Sequence, residues 1–231
     1  MPVINTNVAA IKARSNFERV QREMDQSIAR LSSGKRINTA HDDAAGQAIA
    51  GRLESQVRGL NMQVRTAKDA QSLVDATEGA MQEVESILQR MRELAVQASS
   101  GIATAADRGY LDTEVEALVA EVEAISKNTK FNEQSILSDV GFSFYVDINI
   151  TGTKISTTAV DMGITALNIE ATDVELGTVT DAAAAIVDID AALVSVADGR
   201  AHMGAISNRL DHVIDNLTNV ISNTAAAQSR I

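Results

Sequence analysis

The strongest constraint on the fold is a seven-residue repeat of small and apolar side chains between Ala44 and Ser99. Its steps alternate between three and four residues, with one early irregularity, over more than six heptads, and no proline interrupts it. Such a repeat predicts one long helix whose apolar seam packs against another helix. The seam residues are Leu53, Val57, Leu60, Val64, Ala67, Ala70, Val74, Thr77, Met81, Val84, Leu88, Met91, Ala95 and Ala98.

A second long repeat occupies the end of the chain, where Asp181 is the expected N-cap of a helix that continues to residue 231. Two seams from opposite ends of the sequence predict an antiparallel pair of helices. A shorter apolar stripe between residues 107 and 128 predicts a third helix that folds back onto the long one. The seam of the last helix includes Ile186, Ile189, Leu193, Val196, Arg200, Met203, Ile206, Leu210, Val213, Leu217 and Val220.

The residue period changes after the third helix. Alternation of apolar and mostly polar side chains predicts a strand, and Thr151, Gly152 and Thr153 predict the turn into a returning strand. We therefore expect a small β-hairpin region over about residues 138–178. The apolar positions of the predicted strand are Phe142, Phe144, Val146, Ile148 and Ile150.

The sequence as a whole predicts a mainly α fold, an elongated antiparallel helical bundle or coiled coil with a small β-hairpin region. A core domain is expected over residues 43–231, with helices at about 44–99, 107–128 and 181–231. Residues 1–42 are expected to form an N-terminal helix and a joint. That helix carries one thin apolar stripe for which the bundle supplies no partner, so we expect assembly with other copies.

Composition excludes several function classes. The chain has no cysteine, which excludes disulfides and thiol catalysis, and its net charge of −11 argues against non-specific nucleic-acid binding. No 18-residue apolar stretch exists, so membrane insertion is not expected, and the polar first twenty residues predict no cleaved Sec signal peptide. Residues 1–40 carry seven basic and three acidic side chains, which suits a membrane or nucleic-acid arm or, as we favour, a helix face that meets acidic neighbours.

The stretch from Arg30 to Leu53, RLSSGKRINTAHDDAAGQAIAGRL, concentrates the residue types that often carry chemistry. It fails as a phosphate-binding loop because Arg36 follows Lys35 and a helix, not a strand, precedes it. A C-cap at Gly34, which ends the first helix, is the better interpretation.

The His and Asp residues of the same stretch leave two interpretations. His41, Asp42 and Asp43 could ligate a metal, but a stable site needs three or four ligands and the two other histidines lie on the last helix. We favour Asp42 and Asp43 as caps of the long helix. The stretch is then a joint between two helices, and neither a catalytic constellation nor a cofactor site is predicted anywhere in the chain.

Several long segments of the sequence carry a resemblance to one family. They are INTNVAA, the joint quoted above, DAQSLVDATEGAMQEVESILQRMRELAVQAS, KFNEQSIL, GRAHMGAISNRLDHVIDNL and SRI. Together they resemble bacterial flagellin. The resemblance covers residues 1 to about 137 and resumes in the last helix, and it implies a structural subunit of the flagellar filament that is not an enzyme. His41 and Gln47 stand where other residues are commoner in the family.

The resemblance implies the partners as well. Flagellins polymerise with other flagellin subunits through their terminal helices to form the filament used for swimming, and they meet hook–filament junction and cap proteins. An export chaperone and the flagellar type III export apparatus deliver them outside the cell. In similar flagellins a Toll-like receptor of the host binds the segment LQRMRELAV of the long helix and a residue of the neighbouring helix. The resemblance therefore places Arg90, Leu94 and Glu114 of this chain in the recognition patch.

Two departures from the family qualify this interpretation. Larger flagellins carry outer domains where this chain has only the predicted hairpin. The family also continues beyond the final SRI as a further helix of the inner tube, so the chain is expected to be a short form without that helix. A hook–filament junction protein remains the nearest structural alternative, while an adhesin or an embedded enzyme needs an inserted domain.

Overall fold

The computed structural model describes residues 7–138, 141–145, 154–157 and 160–231, and the predicted mainly α fold is confirmed. The helices are α1 (Val8–Ser33), α2 (Ala44–Ala98), α3 (Ala105–Asn128), the single turn α4 (Ile164–Leu167) and α5 (Val179–Arg230). The strands are β1 (Lys130–Phe131), β2 (Gln134–Ser135), β3 (Ser143–Tyr145) and β4 (Lys154–Ser156). No helix within the described residues carries a stretch both long and apolar enough to cross a bilayer.

The chain divides into two compact units. A terminal unit comprises Met1–Gly59 and Val220–Ile231, and a central unit comprises Leu60–Asn219. Nearly all buried apolar side chains belong to the central unit. Among the described residues of the terminal unit, Gly46 alone is buried.

The core of the central unit is the seam between α2 and α5. Met81, Val84, Leu88 and Met91 of α2 are fully buried, as are Ile189, Val196 and Leu210 of α5. Three polar contacts show that the two helices run antiparallel, since the α5 partner number rises as the α2 number falls. The pairs are Arg92 with Asp190, Glu85 with Arg200, and Gln71 with Asp211.

Arg200 is the one charged residue among the seam positions of α5 named above. Its guanidinium pairs with Glu85 and lies 3.6 Å from the Glu78 carboxylate. These two acids of α2 stand about two helical turns apart. A charged group at a seam position has its partners only in one alignment of the helices. Arg200 therefore helps to fix the register of α2 against α5.

Two helix starts differ from the sequence prediction for the same reason. Asp181 was expected as the N-cap of the last helix, but Thr178 caps it, with the Asp181 amide donating to Thr178 Oγ1 at 3.2 Å and Asp181 Oδ2 accepting from the Thr178 amide at 3.1 Å. Thr104 and Asp107 make the same reciprocal capping box at the start of α3. Both helices consequently begin two residues earlier than predicted, because the acid stands at the third helical position.

The predicted β-hairpin is present in the part that the structure describes. β3 pairs antiparallel with β4, with Phe144 opposite Ile155, and Ile155 is buried. The predicted strand residues Val146, Ile148 and Ile150 and the predicted turn at Thr151, Gly152 and Thr153 lie outside the described residues.

A second strand pair, β1 with β2, was not predicted. Its connecting residues Asn132 and Glu133 both have positive φ, at 50° and 66°. This is the backbone of a tight two-residue hairpin turn, which normally favours Asn followed by Gly. Glu133 occupies the position where glycine relieves strain, and this explains why no hairpin turn was predicted here.

Candidate functional site

The joint between α1 and α2 begins at Gly34. This glycine adopts the left-handed conformation, with φ +67°, and its amide donates to the Arg30 carbonyl oxygen at 2.9 Å. Such a closing bond satisfies a carbonyl that the helix end leaves free. Gly34 is therefore the C-cap of α1, as predicted.

Asp42 and Asp43 accept hydrogen bonds from different parts of the joint. Asp43 Oδ1 accepts from the Gly46 amide at 2.9 Å, which is the expected N-cap contact of α2. Asp42 was predicted to cap the same helix, but this is wrong. Its Oδ2 instead accepts from the loop amides of Asn38 and Thr39 at 3.1 and 3.0 Å, which closes the loop on itself.

Asp42 also ties the loop back to α1. Its Oδ1 accepts from Gln26 Nε2 at 2.6 Å. That bond first, and then the bonds from the Thr39 and Asn38 amides, lower the pKa of the Asp42 carboxyl to about 2. Sequence reasoning missed the contact with Gln26 because it joins residues that are separated by a helix end and a loop.

Gly46 allows α2 to begin close to the joint loop. A Cβ at this position would lie 2.6 Å from Ile37 Cδ1 and 2.5 Å from Asp43 Oδ2. Both distances are shorter than van der Waals contact allows. Gly51, further along the same helix, has open space around it, so the steric constraint lies at Gly46.

The apolar stripe of α1 is exposed along the helix. No described residue of α1 is buried, and Phe17 and Leu31 are 68% and 87% exposed. Phe17, Val20, Met24, Ile28 and Leu31 recur at steps of three and four residues and therefore lie on one side of the helix. An exposed apolar stripe along a 26-residue helix is typical of a surface that packs against another helix.

The predicted recognition patch is only partly at the surface. Arg90 Nε and Nη2 donate to Glu114 Oε1 at 3.1 and 2.8 Å, which joins α2 to α3 across half-exposed side chains. The bond to Glu114, and then the one to Glu93, raises the pKa of the Arg90 guanidinium. Leu94, which the resemblance places in the patch with Arg90, is 1% exposed and belongs to the core, so it contributes no apolar contact surface.

The described residues do not assemble a reaction centre. No group of three or more His, Asp and Glu side chains converges on a possible metal position within them. A surface cavity of about 440 Å³ lies at the turn between α2 and α3, where Tyr110, Ile102 and Asp107 line it. The only strongly shifted carboxyl pKa in the described chain is that of Asp42, whose hydrogen bonds are those of a loop.

Comparison with known proteins matches both ends of the chain to one family. Residues 4–141 match the bacterial flagellin N-terminal helical region, and residues 186–231 match the bacterial flagellin C-terminal helical region. A flagellin of Halalkalibacterium halodurans is 39% identical over 99% of this chain and 85% of its own length. Flagellin FlaB2 of Treponema pallidum is 35% identical over the same shares of the two chains.

Solved structures show the same relationship. A crystal structure of Bacillus cereus flagellin has a TM-score of 0.60 and 31% identity, and it covers 71% of this chain and 94% of that one. A putative flagellar hook-associated protein of Vibrio parahaemolyticus has a TM-score of 0.70 over 84% of this chain, but at 15% identity it shows only that the fold is shared.

Proposed function

The chain belongs to the bacterial flagellin family, as a structural filament subunit and not an enzyme, and from this we propose that copies join through the exposed stripe of α1. Flagellins polymerise with other flagellin subunits into an extracellular appendage. The observation that carries the proposal is the stripe itself, whose large side chains are exposed along a helix with no buried residue. Residues 1–42 are then the inner-tube helix and its joint, and residues 43–231 the filament core domain.

The contacts of the joint support this separation into an inner-tube helix and a core domain. Gly34 ends α1, Asp42 closes the loop, and Asp43 with Gly46 starts α2. Short hydrogen bonds rather than apolar packing hold these residues in place. The joint therefore keeps a defined backbone path although most of its residues are exposed. We infer that it sets the direction in which the stripe of α1 leaves the joint loop.

Secretion and the remaining partners are also part of the proposal. A filament lies outside the cell, so the subunit must be exported, and we propose that the flagellar type III apparatus and an export chaperone deliver it. Junction proteins between hook and filament and a cap protein at the growing end then receive it. The family membership supports these partners.

One experiment tests assembly and export together. The chain is produced in a bacterium that lacks its own flagellin, alongside Phe17→Asp and the matched control Ser15→Asp, which lies on the opposite side of α1. We expect filaments from the original chain and the control, and unassembled Phe17→Asp protein in the culture medium. Normal filaments from Phe17→Asp contradict the stripe, and retention of all three chains in the cell contradicts export.

The host receptor is a further proposed partner. We propose that the flagellin-sensing Toll-like receptor contacts Arg90 and Glu114 of free subunits, since this ion pair is exposed and spans α2 and α3. Leu94 acts beneath them by packing, because its side chain is buried.

Binding of the purified chain to the receptor ectodomain tests this assignment. Arg90→Ala is expected to weaken binding by about tenfold or more, as for an arginine anchor at an interface. Arg92→Ala is the control, because Arg92 is equally exposed but pairs with Asp190 on α5 instead. Leu94→Ala is expected to lower the melting temperature. If Arg90→Ala binds as tightly as Arg92→Ala, the assignment of the patch is wrong.

A further inference from the structure

Methionine thioethers are the most readily oxidised sulfur groups of this chain, because its sequence contains no cysteine. How fast a thioether reacts depends on how freely an oxidant reaches the sulfur. Among the described residues two methionines are exposed, Met24 of α1 at 58% and Met62 of α2 at 55%. The other described methionines lie in the core of the central unit, and they are Met81, Met91, Met162 and Met203.

Met24 lies at the centre of the apolar stripe of α1. Val20 stands one turn before it and Ile28 one turn after it, and both are exposed. Phe17 and Leu31 extend the same stripe at its two ends. A change at the Met24 sulfur therefore alters the middle of the surface through which we propose that copies join.

Met62 is as accessible as Met24 but has different neighbours. The residues one turn before and after it are Arg58 and Thr66, and the Arg58 guanidinium pairs with Glu54. The Met62 side chain thus lies among polar groups and is part of no apolar stripe. A polar oxygen added to its sulfur stays in solvent in the free chain, so Met62 serves as an internal control.

Oxidation by a hydroperoxide changes Met24 from an apolar residue to a polar one. With hydrogen peroxide, the thioether sulfur attacks one peroxide oxygen, the O–O bond breaks and an S–O bond forms. The sulfur loses two electrons and the two peroxide oxygens gain them. The departing hydroxide takes the proton of the transferred hydroxyl group and leaves as water. The product is methionine sulfoxide, which is polar and disrupts apolar contacts.

The sulfoxide has different consequences in a free subunit and in a filament. No described residue of α1 is buried, so an added oxygen on Met24 breaks no packing within the free chain. When another copy covers the stripe, the same oxygen is removed from water without a hydrogen-bond donor among the apolar stripe residues, and this is unfavourable. Oxidation at Met24 therefore opposes assembly without unfolding the subunit.

We propose that Met24 is an oxidation-sensitive modification site whose conversion to the sulfoxide by a hydroperoxide prevents a free subunit from joining a filament. The inference rests on the proposed assembly role of α1. The block is reversible, because the two methionine sulfoxide reductases, one for each sulfoxide epimer, restore the thioether.

The test compares the original chain with Met24→Leu and the matched control Met62→Leu. Leucine is apolar, has nearly the volume of methionine and forms no sulfoxide, so Met24→Leu keeps the stripe. Each chain is treated with hydrogen peroxide as a free subunit, the peroxide is removed, and the chain is placed under polymerising conditions. Peptide mass spectrometry measures the oxidised fraction at each methionine, and sedimentation measures the polymer.

We expect oxidation to lower the polymer yield of the original chain and of Met62→Leu by about tenfold or more, as for an unpaired polar group in an apolar contact. Met24→Leu should polymerise as well after peroxide as before it. Treatment of the oxidised original chain with both reductases, and with dithiothreitol to supply the two electrons, should restore its yield. The melting curve measured by circular dichroism should not change on oxidation, since the core methionines are buried.

The outcomes separate this inference from the proposed function. Full polymer yield from chain oxidised at Met24, or an equal loss of polymer in Met24→Leu and the original chain, overturns the modification site and leaves the role of α1 intact. A lowered melting temperature after oxidation assigns the loss of polymer to the core and also overturns the site. If the untreated chain forms no polymer, the proposed role of α1 fails and this inference fails with it.

Discussion

Leu88→Asp is expected to abolish the folded central unit at room temperature. Leu88 is fully buried in the seam between α2 and α5, so its replacement leaves a charge without solvent or a partner. Substitutions of this kind cost about 4–5 kcal/mol or more, which is most of the free energy of unfolding of an ordinary domain. Circular dichroism during heating measures the effect as the loss of a cooperative helical transition.

Ser86→Asp is the matched control for that substitution. Ser86 lies two residues from Leu88 on the exposed side of α2 and receives the same added charge. It stands four residues before Arg90, an arrangement that slightly stabilises a helix. We expect a melting curve close to that of the original chain. A normal transition in Leu88→Asp means that the seam does not hold the central unit together.

Cleavage of α1 by trypsin is expected to differ sharply between free subunits and filaments. Every described side chain of α1 is exposed, and most of the stability of a helix in a protein comes from apolar packing, which α1 does not have. The peptide bonds after Arg14, Arg19 and Arg22 should therefore be cut rapidly in the free chain. In a filament the stripe is covered and the helix is fixed, so the same bonds should resist, with at least tenfold slower cleavage measured by mass spectrometry of the products.

The long helices could be predicted because their signal is repeated many times. More than six heptads of α2 and the matching seam of α5 determine which side is buried, and a single misread residue does not change the result. The residue at which α5 begins was harder to predict. Thr178 and Asp181 are both good caps, and only the reciprocal bonds of the structure show that the threonine is the cap and the acid stands at the third position.

Leu94 shows the limit of reasoning from helix spacing. Its four-residue distance from Arg90 correctly places both on neighbouring turns, but the seam positions Met91 and Ala95 flank Leu94 on the buried side. With α3 in the bundle the buried face of α2 is wider than a two-helix seam, and it includes Leu94. The spacing alone does not say how many helices surround α2.

An exposed apolar repeat of α5 was present in the sequence but hidden by the stronger, buried repeat. Ala184, Val187, Ala191 and Val194 follow the same three- and four-residue steps as the buried seam, two residues out of phase. The bond between Gln26 and Asp42 had no such signal, because a helix end and a loop separate the two residues in sequence. Repeats on one helix are therefore predictable, whereas polar contacts across a joint depend on the backbone path.

The most direct test of assembly through α1 is a trypsin footprint of the same purified chain before and after polymerisation. The extent of cleavage after Arg14, Arg19 and Arg22 is counted by mass spectrometry and normalised to the denatured chain, which reports full accessibility. We predict near-complete cleavage in free subunits and at least tenfold slower cleavage in sedimented filaments. Equal rates of cleavage in the two states show that α1 stays uncovered in the filament and contradict its role as the assembly surface.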